Sequence, residues 1–405
     1  MKKPELLAPA GNFEKLKIAV RFGADAVYLG GKSYSLRSGA DNFSLEEMEQ
    51  GVKYAHAHHA KVYVTLNIFA HNNDLKDLPE YVTNIARLQI DGIIISDPGI
   101  FRIIKKISPQ IPIHISTQAN NTNWSSVLFW QKMGAKRVIL ARELAIREIE
   151  EIHHKTSIEL EVFVHGAMCI SYSGRCLLSN YLALRNANKG DCAHPCRWKY
   201  HLVEEQRPGQ YFPVSEDDGG TYIFNSKDLC MIEHLPALMN AGVSSLKIEG
   251  RMKSIYYIGT VVKTYREAID TYFADPEKYY CKEEWIKELH KVSHRHYTTG
   301  FAFEKPSTES QRYSSSAYIR NYDFVGIVLG YDPEKKEAVI EQRNRFFTGD
   351  EVEFVPPRGS FLKWRISSMK NEMGEIIDSA PHPQQVILIP VPFPLEKYSL
   401  MRRAK

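Results

Sequence analysis

The chain has 405 residues, 43% of them hydrophobic and 25% charged, so it can bury a large core and lacks the composition of a disordered protein. Its formal net charge of +4 is too small to indicate nucleic-acid binding by itself. No stretch approaches the roughly 20 apolar residues of a membrane helix, and no apolar run follows the first lysines as in a signal peptide. We therefore expect a cytoplasmic protein with no membrane partner.

The first 250 residues repeat one unit, in which an amphipathic stretch precedes a short apolar strand. Continuous apolar strands are typical of parallel sheets that are buried on both faces. Eight strands are predicted, at residues 5–8, 26–29, 62–66, 93–96, 113–116, 137–140, 160–164 and 245–248. Eight strands alternating with helices within about 250 residues favour an α/β fold of the (β/α)8 TIM-like barrel type, assigned to residues 1–275.

Glycines stand at the ends of four amphipathic stretches, each just before a predicted strand. They are Gly23, Gly92, Gly134 and Gly242. Glycine readily adopts the left-handed conformation that closes a helix. Each is therefore predicted to be a helix C-cap.

One connection of the predicted barrel is unusually long. About 80 residues separate the seventh and eighth strands, and loops of such length inside a compact domain are usually functional. In a barrel, this loop lies at the catalytic face. The insertion, residues 166–230, contains five of the six cysteines, and its segment 169–200 has five basic residues against one acid.

The composition changes after the predicted barrel. Residues 276–317 are predicted to be a linker with a helix, and residues 318–405 a small antiparallel β-barrel with strands at 324–329, 337–342, 351–355 and 385–390. Two basic aromatic runs, 343–347 and 363–365, could contact RNA by stacking and phosphate pairing. An ordinary charged β-barrel surface is the alternative interpretation.

The five clustered cysteines are the strongest chemical signal. They are Cys169, Cys176, Cys192, Cys196 and Cys230. In a reducing compartment such clustering indicates metal binding or catalysis, and four thiolates suffice for zinc or an iron–sulfur cluster. Structural zinc usually takes two close cysteine pairs, and only Cys192 and Cys196 form one, so the spacing favours a cluster. A cysteine nucleophile served by His165 or His194 is the alternative.

Polar residues follow several predicted strands, at the end of the barrel where catalytic residues lie. They are Asn67, Gln118, Arg142, Glu143, His165, Lys247, Glu249 and Arg251. Arginine at such a place suits bidentate recognition of carboxylate or phosphate. The candidate catalytic residues are His165, Glu249, Arg251 and Arg142, with a structural hydrogen bond or ion pair as the simpler role for each.

The runs around these residues resemble peptidase family U32. The resemblance is carried by residues 161–179, which include Cys169 and Cys176, by 190–200 and 247–253, and by the opening 5–11. It covers the whole predicted barrel. The family name implies collagenase-like proteolysis, but no Gly-x-Ser-x-Gly, H-E-x-x-H or P-loop pattern accompanies it.

The resemblance implies an oxygen-independent hydroxylase with a [4Fe-4S] cluster. The branch of the family that hydroxylates tRNA has a barrel and a C-terminal β-domain, and similarity to it implies 5-hydroxyuridine formation at the wobble position. Prephenate is the implied carboxylate co-substrate and oxygen donor, and a homologous U32 subunit is a further candidate partner. Carried over by position, the cluster ligands are Cys169, Cys176, Cys192 and Cys230, and a cluster that uses Cys196 instead of Cys230 stays open.

Three functions are therefore carried forward. The leading hypothesis is an iron–sulfur-dependent tRNA hydroxylase, because a redox site, a basic segment and an added β-domain occur together. The second is a U32-type peptidase, whose activity would survive iron removal. The third is a non-catalytic RNA-binding or assembly factor with a structural metal.

Overall fold

The structure, a computed structural model, describes residues 2–36, 41–169, 171–172, 176–197, 201–202, 212–213, 227–303 and 318–405. The helices are α1 Phe13–Arg21, α2 Leu45–Ala57, α3 Leu78–Arg87, α4 Pro98–Ile107, α5 Trp124–Lys132, α6 Ile146–Lys155, α7 Leu178–Ala183, α8 Leu235–Asn240, α9 Ile255–Ala274 and α10 Glu283–Leu289. The strands of the first 300 residues are β1 Glu5–Pro9, β2 Ala26–Gly30, β3 Lys61–Leu66, β4 Gly92–Ile95, β5 Ile113–Ile115, β6 Arg137–Ile139, β7 Glu159–Ala167, β8 His201–Leu202, β9 Phe212–Pro213, β10 Asp228–Cys230, β11 Ser245–Ile248 and β12 Tyr297–Thr298. The later strands are β13 Tyr322–Asp332, β14 Glu337–Gln342, β15 Phe346–Phe347, β16 Glu351–Val355, β17 Leu362–Arg365, β18 Met369–Asn371, β19 Ile376–Ile377, β20 Ser379–Ala380, β21 Val386–Pro390 and β22 Leu400–Ala404.

Eight parallel strands close into a barrel. Strands β1 to β7 pair in chain order, and β11 pairs with both β1 and β7, which completes the ring. Each predicted strand is present, and the helices between the strands pack around them, so the predicted (β/α)8 barrel is confirmed. The continuous apolar runs are explained by burial on both faces: every residue of β2 is buried.

Local sequence fixes where the barrel helices begin and end. Ser44 caps α2 through a reciprocal capping box with Glu47. The predicted left-handed glycines are confirmed at Gly23, Gly134 and Gly242. The prediction for Gly92 is wrong, because Gly92 is the first residue of β4 and the left-handed residue after α3 is Gln89, with a φ of 57°.

The insertion folds back onto the seventh strand. Strand β7 continues beyond the barrel, where its residues His165 to Ala167 pair antiparallel with β10. Strand β12 then joins the free edge of β10 in parallel. Strands β8 and β9 form a separate antiparallel pair within the insertion. Among the described residues, no helix has the length and apolar character needed to cross a bilayer.

The C-terminal β-domain is also confirmed. Its main sheet has eight strands in the order β17-β16-β22-β13-β14-β21-β18-β19, curled as an antiparallel half-barrel, and β15 pairs with β20 beside it. The predicted strands near 324–329, 337–342, 351–355 and 385–390 correspond to β13, β14, β16 and β21.

The β-domain packs on helices α9 and α10. Tyr256 of α9 stacks on Phe324 of β13, with ring centroids 5.7 Å apart. Arg402 of β22 is fully buried and bonds two carboxylates, Glu288 of α10 and Glu353 of β16. This buried contact fixes the β-domain against the barrel.

Candidate active site at the barrel mouth

A column of buried charges runs along the inside of the barrel. Arg137 of β6 donates to Glu5 at 2.6 Å and to Glu161 at 3.0 Å. Burial alone would lower the pKa of Arg137, but the nearby Glu161 and Glu5 carboxylates raise it, so the guanidinium stays charged. Glu161, which is 0% exposed, also accepts from Lys247 Nζ at 2.9 Å. Glu161 therefore holds Lys247 in place at the upper end of the column.

Above this column lies a polar pocket formed by the carboxyl ends of the strands. Its lining is Tyr28, Leu36, Thr65, Asn67, Ile94, Ser116, Thr117, Gln118, Ile139, Arg142, Phe163, Lys247, Glu249 and Arg251. Three side chains of the lining are cationic and one is a carboxylate. The pocket therefore has the charge to bind an anion.

The charged residues of the polar pocket are held by their neighbours. The Arg251 guanidinium is buried and donates to Ser35, Thr65 and Asn42 at 2.6, 3.0 and 2.8 Å. Arg142 donates to the carbonyl of Ala167 at 2.9 Å. Such fixed side chains meet a ligand without losing further rotamer freedom.

Glu249 is tied to two tyrosines. The Tyr28 hydroxyl lies 3.2 Å from Glu249 Oε2, and the Tyr257 hydroxyl donates to the Glu249 carbonyl at 2.9 Å. Gly166 packs against the same carbonyl, since a Cβ there would lie 2.6 Å from it. The end of β11 is thus locked against β7.

A second pocket adjoins the first and contains four thiols. This cysteine pocket includes Cys169, Cys176, Cys192 and Cys196, together with His194, Met252, Lys253 and Tyr318. It shares Leu36, Gln118, Arg142 and Glu249 with the polar pocket. The thiols and the cations therefore face one continuous mouth.

Short-range contacts shape the loop that carries two of these cysteines. The buried Ser179 hydroxyl of α7 accepts from the Ala193 N–H at 2.9 Å, and Arg185 donates to Asp191 at 2.7 Å. The His194 N–H donates to Cys192 Sγ at 3.4 Å. These bonds shape the loop, and Cys192 and Cys196 line the cysteine pocket together with Ala167 at the end of β7.

The thiol arrangement can be compared with what an iron–sulfur cluster needs. Each thiolate of a [4Fe-4S] cluster binds a different iron, so four thiols surround a volume rather than meet at a point. Within the described ranges, no three His, Cys, Asp or Glu side chains meet closely enough to hold one ion. Four thiols around one pocket fit the ligand number of a cluster.

Cys230 lies elsewhere. It does not line the cysteine pocket but packs with its Sγ 4.0 Å from the Tyr265 hydroxyl. Burial raises the pKa of the Cys230 thiol to about 12. The ligand role of Cys230 stays a prediction, and the cysteine that the structure places with the other three is Cys196.

Two family models together match most of the chain. The model of peptidase family U32 matches residues 11–312, and the model of the peptidase family U32 C-terminal domain matches residues 320–402. The chain belongs to peptidase family U32.

Relatives of this U32 chain carry names that concern RNA. It is 45% identical over 404 residues to tRNA hydroxylation protein P1 of Bacillus subtilis, covering 100% of this chain and 96% of the relative. It is 38% identical to tRNA hydroxylation protein P of Escherichia coli, covering 100% and 97%. It is 36% identical to the 23S rRNA 5-hydroxycytidine C2501 synthase of Escherichia coli, covering 66% of this chain and 39% of that protein.

Most predicted strand-end residues of the U32 barrel do meet. Those that line the polar pocket are Asn67, Gln118, Arg142, Lys247, Glu249 and Arg251. Neither pocket includes Glu143 or His165. Their catalytic or binding roles stay predictions.

His165 lies in a cage of aromatic rings instead. It is 1% exposed and contacts the rings of Tyr257, Tyr265 and Tyr297 at centroid distances of 5.2 to 5.9 Å. Burial lowers the pKa of His165 to about 3, and its Nε2 has no hydrogen-bond partner among the described residues. The imidazole is therefore neutral.

Sequence reasoning missed several residues of the site. Tyr28 lies within an apolar strand and Tyr318 beyond the predicted linker, so neither stands at a strand end. Glu161 could have been found, because it is a carboxylate in an otherwise apolar predicted strand. A charge at such a place needs a buried partner.

Proposed function

We propose that this chain is a tRNA-modifying hydroxylase that works without O2. The observation that carries the proposal is the continuous mouth, in which four thiols adjoin a cationic pocket. Support comes from relatives named as tRNA hydroxylation proteins that match the chain over its whole length. The proposed product is 5-hydroxyuridine at the wobble position, where the base is unpaired and needs no extraction from a duplex.

The cysteine pocket is the proposed site of a [4Fe-4S] cluster. Its ligands would be Cys169, Cys176, Cys192 and Cys230, the set that the resemblance implies, with Cys196, which lines the pocket, as the alternative fourth ligand. When bound, the cluster supplies redox chemistry beside the polar pocket.

The polar pocket is the proposed site of the co-substrate. Arg142, Lys247 and Arg251 would bind the carboxylates of prephenate, the oxygen donor that similarity to the tRNA-hydroxylating branch implies. Glu249, bonded to the Tyr28 hydroxyl, is the carboxylate that lines this pocket and the candidate proton acceptor there. His165 is too enclosed by tyrosine rings to reach either pocket without rearrangement.

The reaction balances in atoms and electrons. Converting the C5–H bond of uridine to C5–OH adds one oxygen atom and oxidises the base by two electrons. The donor gives up one oxygen atom and is reduced by the same two electrons. No molecular oxygen is needed.

Nucleoside mass spectrometry tests the function in cells. We expect tRNA from a strain lacking this protein to lose 5-hydroxyuridine and to regain it with the wild-type chain but not with Cys169→Ala. Full rescue by Cys169→Ala would refute the cluster. Cleavage of casein by iron-free protein, without any nucleoside change, would favour the peptidase alternative.

Iron and sulfide content tests the ligand set. In protein purified without oxygen, Cys230→Ser should lose the cluster while Cys196→Ser retains it. Cys281→Ser is the matched control, because Cys281 is a half-buried thiol outside the cysteine pocket. Iron retained in Cys230→Ser and lost in Cys196→Ser would make Cys196 the fourth ligand.

A further inference from the structure

The two phenylalanines of the first basic run, 343–347, differ in their exposure to solvent. Phe346 is 0% exposed and belongs to the β-domain core, whereas its neighbour Phe347 is 40% exposed. The exposed Arg345 guanidinium lies over the Phe347 ring, 4.8 Å from its centroid. Strand alternation in β15 thus sends one ring inward and presents the other, with its cation, on the surface.

In the second basic run, 363–365, only the cations Lys363 and Arg365 are exposed. Trp364 is half-buried and packs edge-on against Phe393, with ring centroids 5.8 Å apart. Arg365 is exposed, and its Nε donates at 3.3 Å to the carbonyl of Gly349, in the turn just after Phe347. Arg365 therefore borders the same surface as Phe347.

These cations lack acidic partners, unlike three other arginines of the domain. Arg343 pairs with Glu14 and Glu341, and Arg402 and Arg403 also form ion pairs. Among the described residues, no carboxylate lies within 4.0 Å of the charged atoms of Arg345 or Arg365. Their charge is available to an anionic partner.

Helix α1 links this surface to the barrel mouth. Arg343, two residues before Arg345, bonds Glu14 in the first turn of α1, which follows the carboxyl end of β1. The next residue, Lys15, donates its Nζ to the Arg251 carbonyl at 3.1 Å. Because Arg251 lines the polar pocket, consecutive residues of α1 connect the pocket to the β-domain surface.

We propose that Arg345, Phe347 and Arg365 form an RNA platform, on which a nucleotide flanking the target base stacks. Phe347 offers a ring face to a base, and the two guanidinium groups are placed for phosphates. An RNA strand fits this surface better than an acidic peptide, because it supplies both a base to stack on the ring and phosphates for the flanking guanidinium groups. The inference rests on the proposed function and adds how the substrate is held.

Binding of purified tRNA to the full chain, measured over a range of salt concentrations, tests the platform. Phe347→Ala should weaken binding about five-fold or more, through loss of one stacked base. Arg345→Gln, which breaks no ion pair, should lower the slope of log K against log salt by about 0.7. Lys335→Gln is the matched control, because Lys335 is an exposed cation at the opposite end of the β13–β14 hairpin, and it should change neither quantity.

The variant outcomes bear on the platform, and only a wild-type protein that does not bind tRNA would count against both the platform and the function. Binding by Phe347→Ala and Arg345→Gln equal to wild type would overturn the platform, as would wild-type protein that does not bind tRNA. Loss of binding in both variants, with the cluster spectrum unchanged, would support it. The proposed function fails separately, if cells lacking the wild-type chain keep their 5-hydroxyuridine.

Discussion

Removing the carboxylate of Glu161 is a direct test of the buried charge column. Glu161 is fully buried between Arg137 and Lys247, at 3.0 and 2.9 Å. In Glu161→Gln, Arg137 keeps Glu5 and Glu159, whereas Lys247 loses its ion-pair partner. Breaking one side of a buried ion pair costs about 3–5 kcal/mol, so we expect a loss of that size in the free energy of unfolding.

Urea unfolding with a matched control measures this loss. Glu159→Gln removes another carboxylate from Arg137, but Glu159 is 31% exposed, so its substitution should cost about 0–1 kcal/mol. Adding Lys247→Met to Glu161→Gln should recover part of the loss, because it removes the stranded cation. Two results would refute the proposed role of the charge column. One is equal destabilisation by Glu161→Gln and Glu159→Gln. The other is a double variant whose loss equals the sum of the losses from Glu161→Gln and Lys247→Met alone.

Three further predictions concern stability. Arg402→Ala removes the fully buried guanidinium that bonds Glu288 and Glu353, although both carboxylates keep Lys291 as an ion-pair partner. It should destabilise the protein by about 2–3 kcal/mol in urea unfolding, against under about 0.5 kcal/mol for the exposed Lys335→Ala. The pKa of His165 is about 3 in the folded protein and about 6.5 in the unfolded chain. As the pH falls below 6.5, the unfolded chain binds a proton that the folded protein does not bind, so the free energy of unfolding decreases. By pH 5 the His165 share of this loss should reach about 2 kcal/mol relative to neutral pH. A His165→Phe variant measured at both pH values should lose less stability than wild type by that amount, because the buried His114, whose pKa burial also lowers, contributes to the loss in both proteins. Gly166→Ala, with a φ of 110° and a Glu249 carbonyl in the way, should lower the melting temperature more than Gly349→Ala, which has a φ of 91° and open space; equal effects would contradict the locking role of Gly166.

Much of the barrel could be predicted because its signals are local. Apolar runs alternate with amphipathic stretches, and both patterns follow directly from burial of a parallel sheet. The left-handed glycines were equally local, and the one failure, Gly92, arose because Gln89 takes that conformation and the strand begins at the glycine itself.

The residues of the site were harder to predict because contacts between distant parts of the chain bring them together. The pairing of Cys230 with His165 across β10 and β7 decides where that cysteine lies, and no spacing rule encodes it. The same holds for Arg251, whose partners Ser35 and Thr65 come from distant loops and strands. Only the register of the closed barrel brings them together.

Under the proposed function, the thiol-lined mouth hydroxylates tRNA without O2. To test it, anaerobically purified protein is incubated with prephenate and tRNA from a strain lacking the protein, and uridine is followed by nucleoside mass spectrometry. We expect a uridine heavier by one oxygen atom with wild-type protein and none with Cys176→Ser. Unmodified uridine with cluster-loaded wild-type protein, or equal product from Cys176→Ser, would contradict it.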